Sequence, residues 1–344
     1  MTDTRDELET SVAATGPPPL LRFVAAKVGG GVVSLFLVAV LGFFLFRVLP
    51  GDPARTMTRS TPVSAEQLAA LRHRFGLDQP LYLQFRDFVL DLLHGDLGTS
   101  YIYNRPVAEL VLERVGPTVL LVGTATVLAV LVGLWMGTRA AWHQGGPVDR
   151  WFTSVGLTLW SVPTFWLGLL ALMAFGVGVG PLPGLFPVAG MSSADVPAGV
   201  VPHVLDVAHH LVLPCLTLVA VIYAQFMMVM RTSLLEEMGA DYLTTARAKG
   251  LREDLVRRRH AVPNALLPTV TLIFLHLGLV VAGAITVETV FSWPGLGLLT
   301  YEALRVPDLP LLQGTFIVLA GSVIVMNVLA ELVYRFLDPR VRDS

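Results

Sequence analysis

Residue types that could do chemistry are concentrated in two places. The first is Arg231 to Pro268, RTSLLEEMGADYLTTARAKGLREDLVRRRHAVPNALLP, where Arg231, Arg247, Lys249, Arg252, Arg257, Arg258 and Arg259 lie between two apolar runs. Clustered cations in a short loop attract anionic surfaces and hold the loop on the cytoplasmic side of a membrane. Asp241 is placed to cap a short helix, with Tyr242, Ala246 and Gly250 at i, i+4 and i+8 along one face. Small side chains on a face let another surface approach, and Gly250 suits the left-handed turn that ends a helix. A helix gripped by a partner and a loop anchored on lipid headgroups both fit this spacing. The second place is VETVFSWPGLG, beginning at Val287. Glu288 is there an acid in an apolar setting, which either has a function or reaches water or a neighbouring loop. Pro294 and Gly295 break the helix and permit a re-entrant or interfacial turn, and Trp293 suits the headgroup region.

Enzymatic constellations are missing from the sequence. It contains no GxxxxGK[ST], so ATP is not bound through a P-loop of this chain, and neither GxSxG nor HExxH occurs. His276 lies in an apolar run without HxxxH, CxxC or a carboxylate cluster beside it, a poor metal ligand. The single cysteine, Cys215, allows no disulfide within the chain. A self-sufficient secondary transporter is expected to show internal repeats and paired intramembrane charges, and neither is found. No catalytic site, cofactor or metal is therefore expected in this chain, and no nucleic-acid partner.

The elements that position the two segments are membrane spans. Hydrophobic residues make up 54% and charged residues 15% of 344 positions, with mean hydropathy +0.67, outside the soluble range. Six stretches are apolar enough to cross about 30 Å of hydrocarbon. They lie near Val28–Leu49, Thr118–Gly137, Trp151–Phe175, Leu211–Met230, Leu266–Phe291 and Leu312–Leu332. Pro163 and Pro214 are expected to kink their helices. Polar residues within the spans, Gln225, His276 and Gln313 among them, either line a path or bond helix to helix.

Loop charges orient the spans. Loop 139–150, the 231–265 loop and the tail are basic, whereas 176–210 has neither Lys nor Arg, so both termini are placed in the cytoplasm. The expected organisation is a disordered cytoplasmic segment 1–21, a first transmembrane helix 22–49, an external helical lobe 50–117, a core 118–335 and a cytoplasmic tail 336–344. In the lobe, Ser64 and Gln67 form a capping box ahead of a stripe of Leu68, Leu71 and Phe75 that stops at Gly76. Helices are expected near Leu81–Leu93 and Val107–Arg114. Arg72 and Arg74 flank the stripe and are expected to face solvent or a partner.

DYLTTARAKGL followed by RRRHAVPNALLP resembles the cytoplasmic coupling loop of permeases in ATP-driven (ABC) importers. Thr245 and Ala246 stand at that motif's alanine positions, Gly250 at its glycine and Val262–Pro263 at its Leu-Pro pair, while Thr244 replaces the usual acid. TARAKGL and NALLP, with GDPA, FGLDQPL, GDLGTS and ETVFSWPGLG elsewhere, are most similar to the first permease of the dipeptide, oligopeptide and nickel branch. The resemblance implies an all-α polytopic protein with six transmembrane helices, an external lobe between spans 1 and 2 and a coupling helix between spans 4 and 5. It implies that Asp241, Tyr242, Thr245, Ala246, Ala248, Lys249, Gly250 and Pro263 meet an ATPase. Glu288, Trp293, Pro294, Gly295, Arg72 and Arg74 are implied at an external gate or docking face. Implied partners are a second homologous permease, one or two P-loop ATPases that bind ATP and Mg, an external solute-binding protein, a peptide substrate and the lipid bilayer of a bacterial plasma membrane. Glutathione and nickel chelates are alternative solutes.

Overall fold

The computed structural model describes residues 20–48, 64–74, 76, 78–179 and 182–337. The polar segment before residue 20, the GDPA motif, Phe75 and the tail after 337 lie outside the described residues, as do the side chains of Leu71 and Arg74.

Helix α1 (Leu20–Val48) is the first span, and the lobe follows as α2 (Ala65–Arg74) and α3 (Leu81–Leu93). The capping box forms as its spacing requires: Gln67 N–H donates to Ser64 Oγ at 3.2 Å, and Ser64 N–H donates to Gln67 Oε1 at 2.9 Å. Helix α3 sets Phe85 and Phe88 against Phe43 of α1, at centroid distances of 5.2 and 5.3 Å. The third lobe helix is not separate, which corrects the boundary expected at Pro117. Helix α4 (Val107–Trp142) runs unbroken through that proline from the lobe into the second span.

Next come α5 (Pro147–Ser161) and α6 (Thr164–Ala171), the latter continued by a π-helical turn to Val177. The kink expected at Pro163 is large. The two halves bend by 99°, because Val162 before the proline is extended at φ −80° and ψ 131°. A two-residue antiparallel ribbon pairs Gly178–Val179 with Leu182–Pro183. Helix α7 (Val200–Met238) passes through Pro214 as one helix. Short helices α8 (Asp241–Ala248), α9 (Glu253–Val256) and α10 (Val262–Ala265) carry the basic loop. Helices α11 (Leu267–Gly283) and α12 (Ile285–Val290) lead to a turn at Trp293, then α13 (Leu296–Arg305) and α14 (Leu309–Leu337).

Among the described residues, four helices are long and apolar enough to cross a membrane, and the bent α5–α6 pair makes a fifth if counted as one. The region expected as a continuous span at Leu266–Phe291 is divided at Ala284 between α11 and α12.

The centre of the fold is the packing of α4 on α7. Ala125, Ala129, Gly133, Gly137 and Ala141 recur every fourth residue on α4, and all are buried. Lipid tails are as apolar as leucine, so helices in a bilayer gain by close backbone approach along such small-residue stripes. A Cβ at Gly133 would lie 2.7 Å from the Tyr223 carbonyl oxygen, and one at Gly137 would lie 2.5 Å from that of Met227. Glycine is required at both contacts. Leu121, Phe226, Met227 and Phe291 fill the space above them.

Candidate functional site

Two constructions stand at opposite ends of this bundle. At the basic end, α8 folds back onto its own chain. Leu243 and Ala246 sink into a cluster with Ala141, Met230, Leu234, Val256, Ala261 and Ala265. The face expected to contain Tyr242, Ala246 and Gly250 is therefore corrected for Ala246, which is only 6% exposed. Inward residues at 243 and 246 leave Asp241, Thr244, Thr245 and Ala248 as the outward face, continued by Lys249 and Gly250. Asp241 is also not the cap. Ala240 is the extended residue before the helix and Asp241 is its first helical residue, where its charge favours the positive end of the helix dipole. Gly250 behaves as expected, closing the helix at φ 76°.

Polar contacts fix the sides of this segment. Tyr242 OH donates to Glu237 and accepts from Asn264 Nδ2 at 3.0 Å, joining the ends of α7, α8 and α10. Burial holds the Tyr242 phenol above its ordinary pKa, so it stays a donor. Arg247 Nε donates to Glu253 at 3.0 Å. Pro263 is exposed in the first turn of α10, directly after the π-helical turn Arg257–Ala261.

A buried ion pair that the sequence reading did not single out anchors the base of this platform. Arg231 on α7 donates from Nε and Nη2 to the two carboxylate oxygens of Asp149 on α5, at 2.7 and 2.8 Å. Gly145 N–H adds a third bond to that carboxylate at 2.9 Å. The two-pronged geometry fixes direction as well as distance, so α7 and the loop before α5 are held in one register. The signal available in sequence was an acid in the first turn after a glycine pair and proline, with an arginine at the end of an apolar run.

At the other end, the turn between α12 and α13 is an interior. Trp293 is fully buried, which corrects its expected place among headgroups, and its Nε1 donates to the Pro117 carbonyl at 2.9 Å. Glu288 is also fully buried rather than reaching for water. Its carboxylate accepts from Thr118 Oγ1 at 2.8 Å and from Leu298 N–H at 3.0 Å. Thr118 Oγ1 in turn accepts from Leu296 N–H at 2.8 Å, so one hydroxyl relays between span and turn. A Cβ on Gly295 would collide with the Glu288 carboxylate, which explains the glycine after Trp293–Pro294. Ser292 takes φ 49° to reverse the chain.

A second buried carboxylate continues this construction into the lobe. Asp308 caps α14, accepting Leu311 N–H at 3.2 Å, while its other oxygen accepts from Ser100 Oγ at 2.6 Å and Ile102 N–H at 3.0 Å. Tyr103 OH donates to Glu302 of α13 at 2.9 Å. Asp before Leu-Pro was a readable helix start, but its second set of partners, some two hundred residues away in the chain, was not. Arg72 is partly exposed on α2, and the Arg74 side chain is outside the described residues. Within the spans, His276 Nε2 and Gln225 Oε1 approach to 2.5 Å between α11 and α7. Among the described residues no group of three or more His, Cys, Asp or Glu side chains could hold a metal.

The fold is a helical bundle with long apolar helices, a basic platform at one end and a buried, hydrogen-bonded turn at the other, and comparison with known proteins decides its relationship. Residues 129–343 match the family described as binding-protein-dependent transport system inner membrane component, and residues 20–122 match the N-terminal membrane component of such systems. The chain belongs to this permease family. It is 35% identical over 328 residues to the glutathione transport system permease protein GsiC of Salmonella choleraesuis, covering 94% of this chain and 99% of that one. It is 34% identical over 338 residues to the dipeptide transport system permease protein DppB of Escherichia coli K12, covering 94% and 100%. Among solved structures, an inward-facing MetNI methionine ABC transporter aligns with TM-score 0.51 at 16% identity, covering 67% of this chain and 97% of that one. That likeness concerns the fold.

Proposed function

We propose that this permease is one of two membrane subunits of an ATP-driven importer of short peptides, fed from outside by a solute-binding protein. The observation that carries the reading is end-to-end similarity to two permeases whose solutes share one chemistry. Glutathione is itself a tripeptide, so the dipeptide and glutathione relatives both serve small peptides with free amino and carboxylate groups. No resident cofactor is assigned to the chain. ATP and Mg belong to one or two partner ATPases, which supply the phosphoryl chemistry.

In this reading both termini and α8 are cytoplasmic. The outward face of α8, with Asp241, Thr245, Ala248, Lys249 and Gly250, sits in the cleft of an ATPase, and Tyr242 and Pro263 brace it. ATPase closure pushes α8. Because Leu243 and Ala246 are embedded with Leu234 and Met230 of α7, the push passes to α7 and through the glycine contacts to α4. The external turn of Glu288, Trp293, Pro294 and Gly295 moves with the head of α4 and closes or opens the outer end of the path. A second homologous permease completes that path.

The test is uptake of labelled dipeptides, tripeptides and glutathione in a strain lacking the chain, with nickel as the comparison. Restored peptide uptake is expected with the chain and lost without it. Restoration of nickel uptake alone would replace the peptide assignment with the metal branch of the same architecture.

A further inference from the structure

The hairpin between α4 and α5 carries charge that coupling to an ATPase leaves unused. Its turn, residues 139–150, contains two arginines and a single acid, Asp149. That acid is already taken. Arg231 of α7 holds both of its oxygens, and Gly145 N–H and Thr153 Oγ1 also donate to it. Arg139 and Arg150 are exposed, and neither makes an ion pair among the described residues. The turn thus presents two unpaired cations, and a guanidinium takes an oxyanion as its natural partner.

The order of residues along α4 says what kind of anion lies beside them. Val127, Leu131, Trp135 and Arg139 recur at every fourth position, so they share one face of the helix, and all four are exposed. From the middle of the span toward its end, that face passes from aliphatic to tryptophan to arginine. This is the order of hydrocarbon, interface and headgroup across a leaflet. On α5, Arg150 again stands beside an exposed tryptophan, Trp151. Trp135 and Trp151 are 53% and 65% exposed, so two large amphipathic rings lie uncovered where acyl chains meet headgroups. Trp135 packs on Phe152 of α5 at a centroid distance of 5.7 Å, and the Arg139 guanidinium lies over the Trp135 ring at 4.9 Å. That contact positions the cation without consuming its N–H donors. An acidic surface on a soluble partner fits the arginines but not the aliphatic face that leads up to them.

We propose that the α4–α5 hairpin binds the phosphate of an anionic phospholipid, with Arg139 and Arg150 on the headgroup and Trp135 and Trp151 against the glycerol region and upper acyl chains. The choice of the cytoplasmic leaflet rests on the importer reading above, while the site itself rests on the two helix faces. The bound lipid gives the platform a foot on the bilayer surface. Asp149 of the hairpin is gripped by Arg231 at the platform base, and Arg257 of the basic loop lies 5.5 Å over Trp142 at the end of α4. A push on α8 is then delivered against a bundle end held at fixed depth.

Native mass spectrometry of the purified importer complex, titrated with phosphatidylglycerol or with phosphatidylcholine of the same acyl chains, tests the site. The wild type is expected to retain phosphatidylglycerol in preference. Arg139→Gln and Arg150→Gln should each lower that affinity about fivefold, and the double variant more, with phosphatidylcholine retention unchanged. Lysine at both positions keeps the charge and should keep most of the preference. Arg259→Gln removes one charge from the basic loop instead and should leave the preference intact. Inorganic phosphate at matched ionic strength should not displace the lipid, because it lacks the chains that the two tryptophans cover. Equal phosphatidylglycerol affinity in the wild type and the double glutamine variant would overturn the lipid site and leave the importer reading standing. Loss of the ATPase subunits from that variant, with lipid affinity unchanged, would overturn it too and assign the arginines to a protein partner.

Discussion

The two ends of this bundle are built on different physical principles. The end built around Glu288 is tied by buried polar bonds of high sequence separation: Glu288 to Thr118, Trp293 to Pro117 and Asp308 to Ser100. Each is directional, and each leaves a desolvated group behind if it breaks. The basic end is held by apolar contact around Leu243 and Ala246, with the Arg231–Asp149 ion pair beneath, and presents a polar face outward. Apolar packing tolerates small sliding of one helix on another, while a network of fixed donors and acceptors has few alternative arrangements. In the proposed importer this difference divides the labour, one end holding its shape while the other accepts a push and passes it on.

Breaking the external lock should therefore have the largest effect on stability. Glu288→Leu leaves Thr118 Oγ1 and Leu298 N–H buried without their acceptor, a loss on the order of 3–5 kcal/mol. Glu288→Gln keeps the shape and one acceptor and should lose clearly less. Thermal unfolding of the purified permease pair in mild detergent reads both. If the two variants unfold with wild type, the turn is not the rigid element claimed for it.

The platform base comes next. Removing the cation with Arg231→Met strands Asp149, which is 4% exposed, and should cost about 2–4 kcal/mol, somewhat below the range for fully buried pairs because Arg231 is itself partly exposed. Adding Asp149→Leu to that variant should recover much of the loss, since a carboxylate without a partner accounts for most of it. An unrecovered double variant, measured in the same unfolding assay, would show that the pair positions α5 by contacts other than charge.

The smallest effect on stability, with the largest on coupling, belongs to the outward face of α8. Ala248→Trp adds bulk at an exposed position, so unfolding should shift little. Stimulation of ATP hydrolysis by loaded binding protein should be abolished, because the added ring holds the partner's cleft off the helix. Ala246→Trp, placed inside the chain's own core, should instead destabilise it. Normal stimulation in Ala248→Trp would move the docking face elsewhere on the loop.

Much of this was readable in the sequence, for identifiable reasons. Helix ends set by local chemistry, such as the Ser64–Gln67 box and the left-handed Gly250, depend on neighbours a few residues away and form where the spacing placed them. Placements that depend on distant partners were not readable. Trp293 has the composition of an interfacial anchor, but the carbonyl of Pro117 accepts its ring N–H inside the fold. Ala246 lies on a helix too short for periodicity to reveal which side faces the chain's own core. The small-residue stripe on α4 was present in the letters from Ala125 to Ala141 and shows why α4 and α7 can pack closely at the centre. The six-span count rested on apolar length, and a 99° bend at Pro163 and a break at Ala284 are backbone features that length does not record.

The central claim is that ATP hydrolysis by partner subunits drives this permease, and uptake into sealed proteoliposomes tests it most directly. The permease pair and its ATPases are reconstituted, labelled dipeptide and binding protein are added outside, and ATP is either enclosed or omitted. Accumulation of dipeptide with enclosed ATP and binding protein, unchanged by a protonophore and absent when ATP is left out, is the predicted result. Accumulation without ATP that follows an imposed proton or sodium gradient would contradict the account and make the chain a self-sufficient secondary transporter.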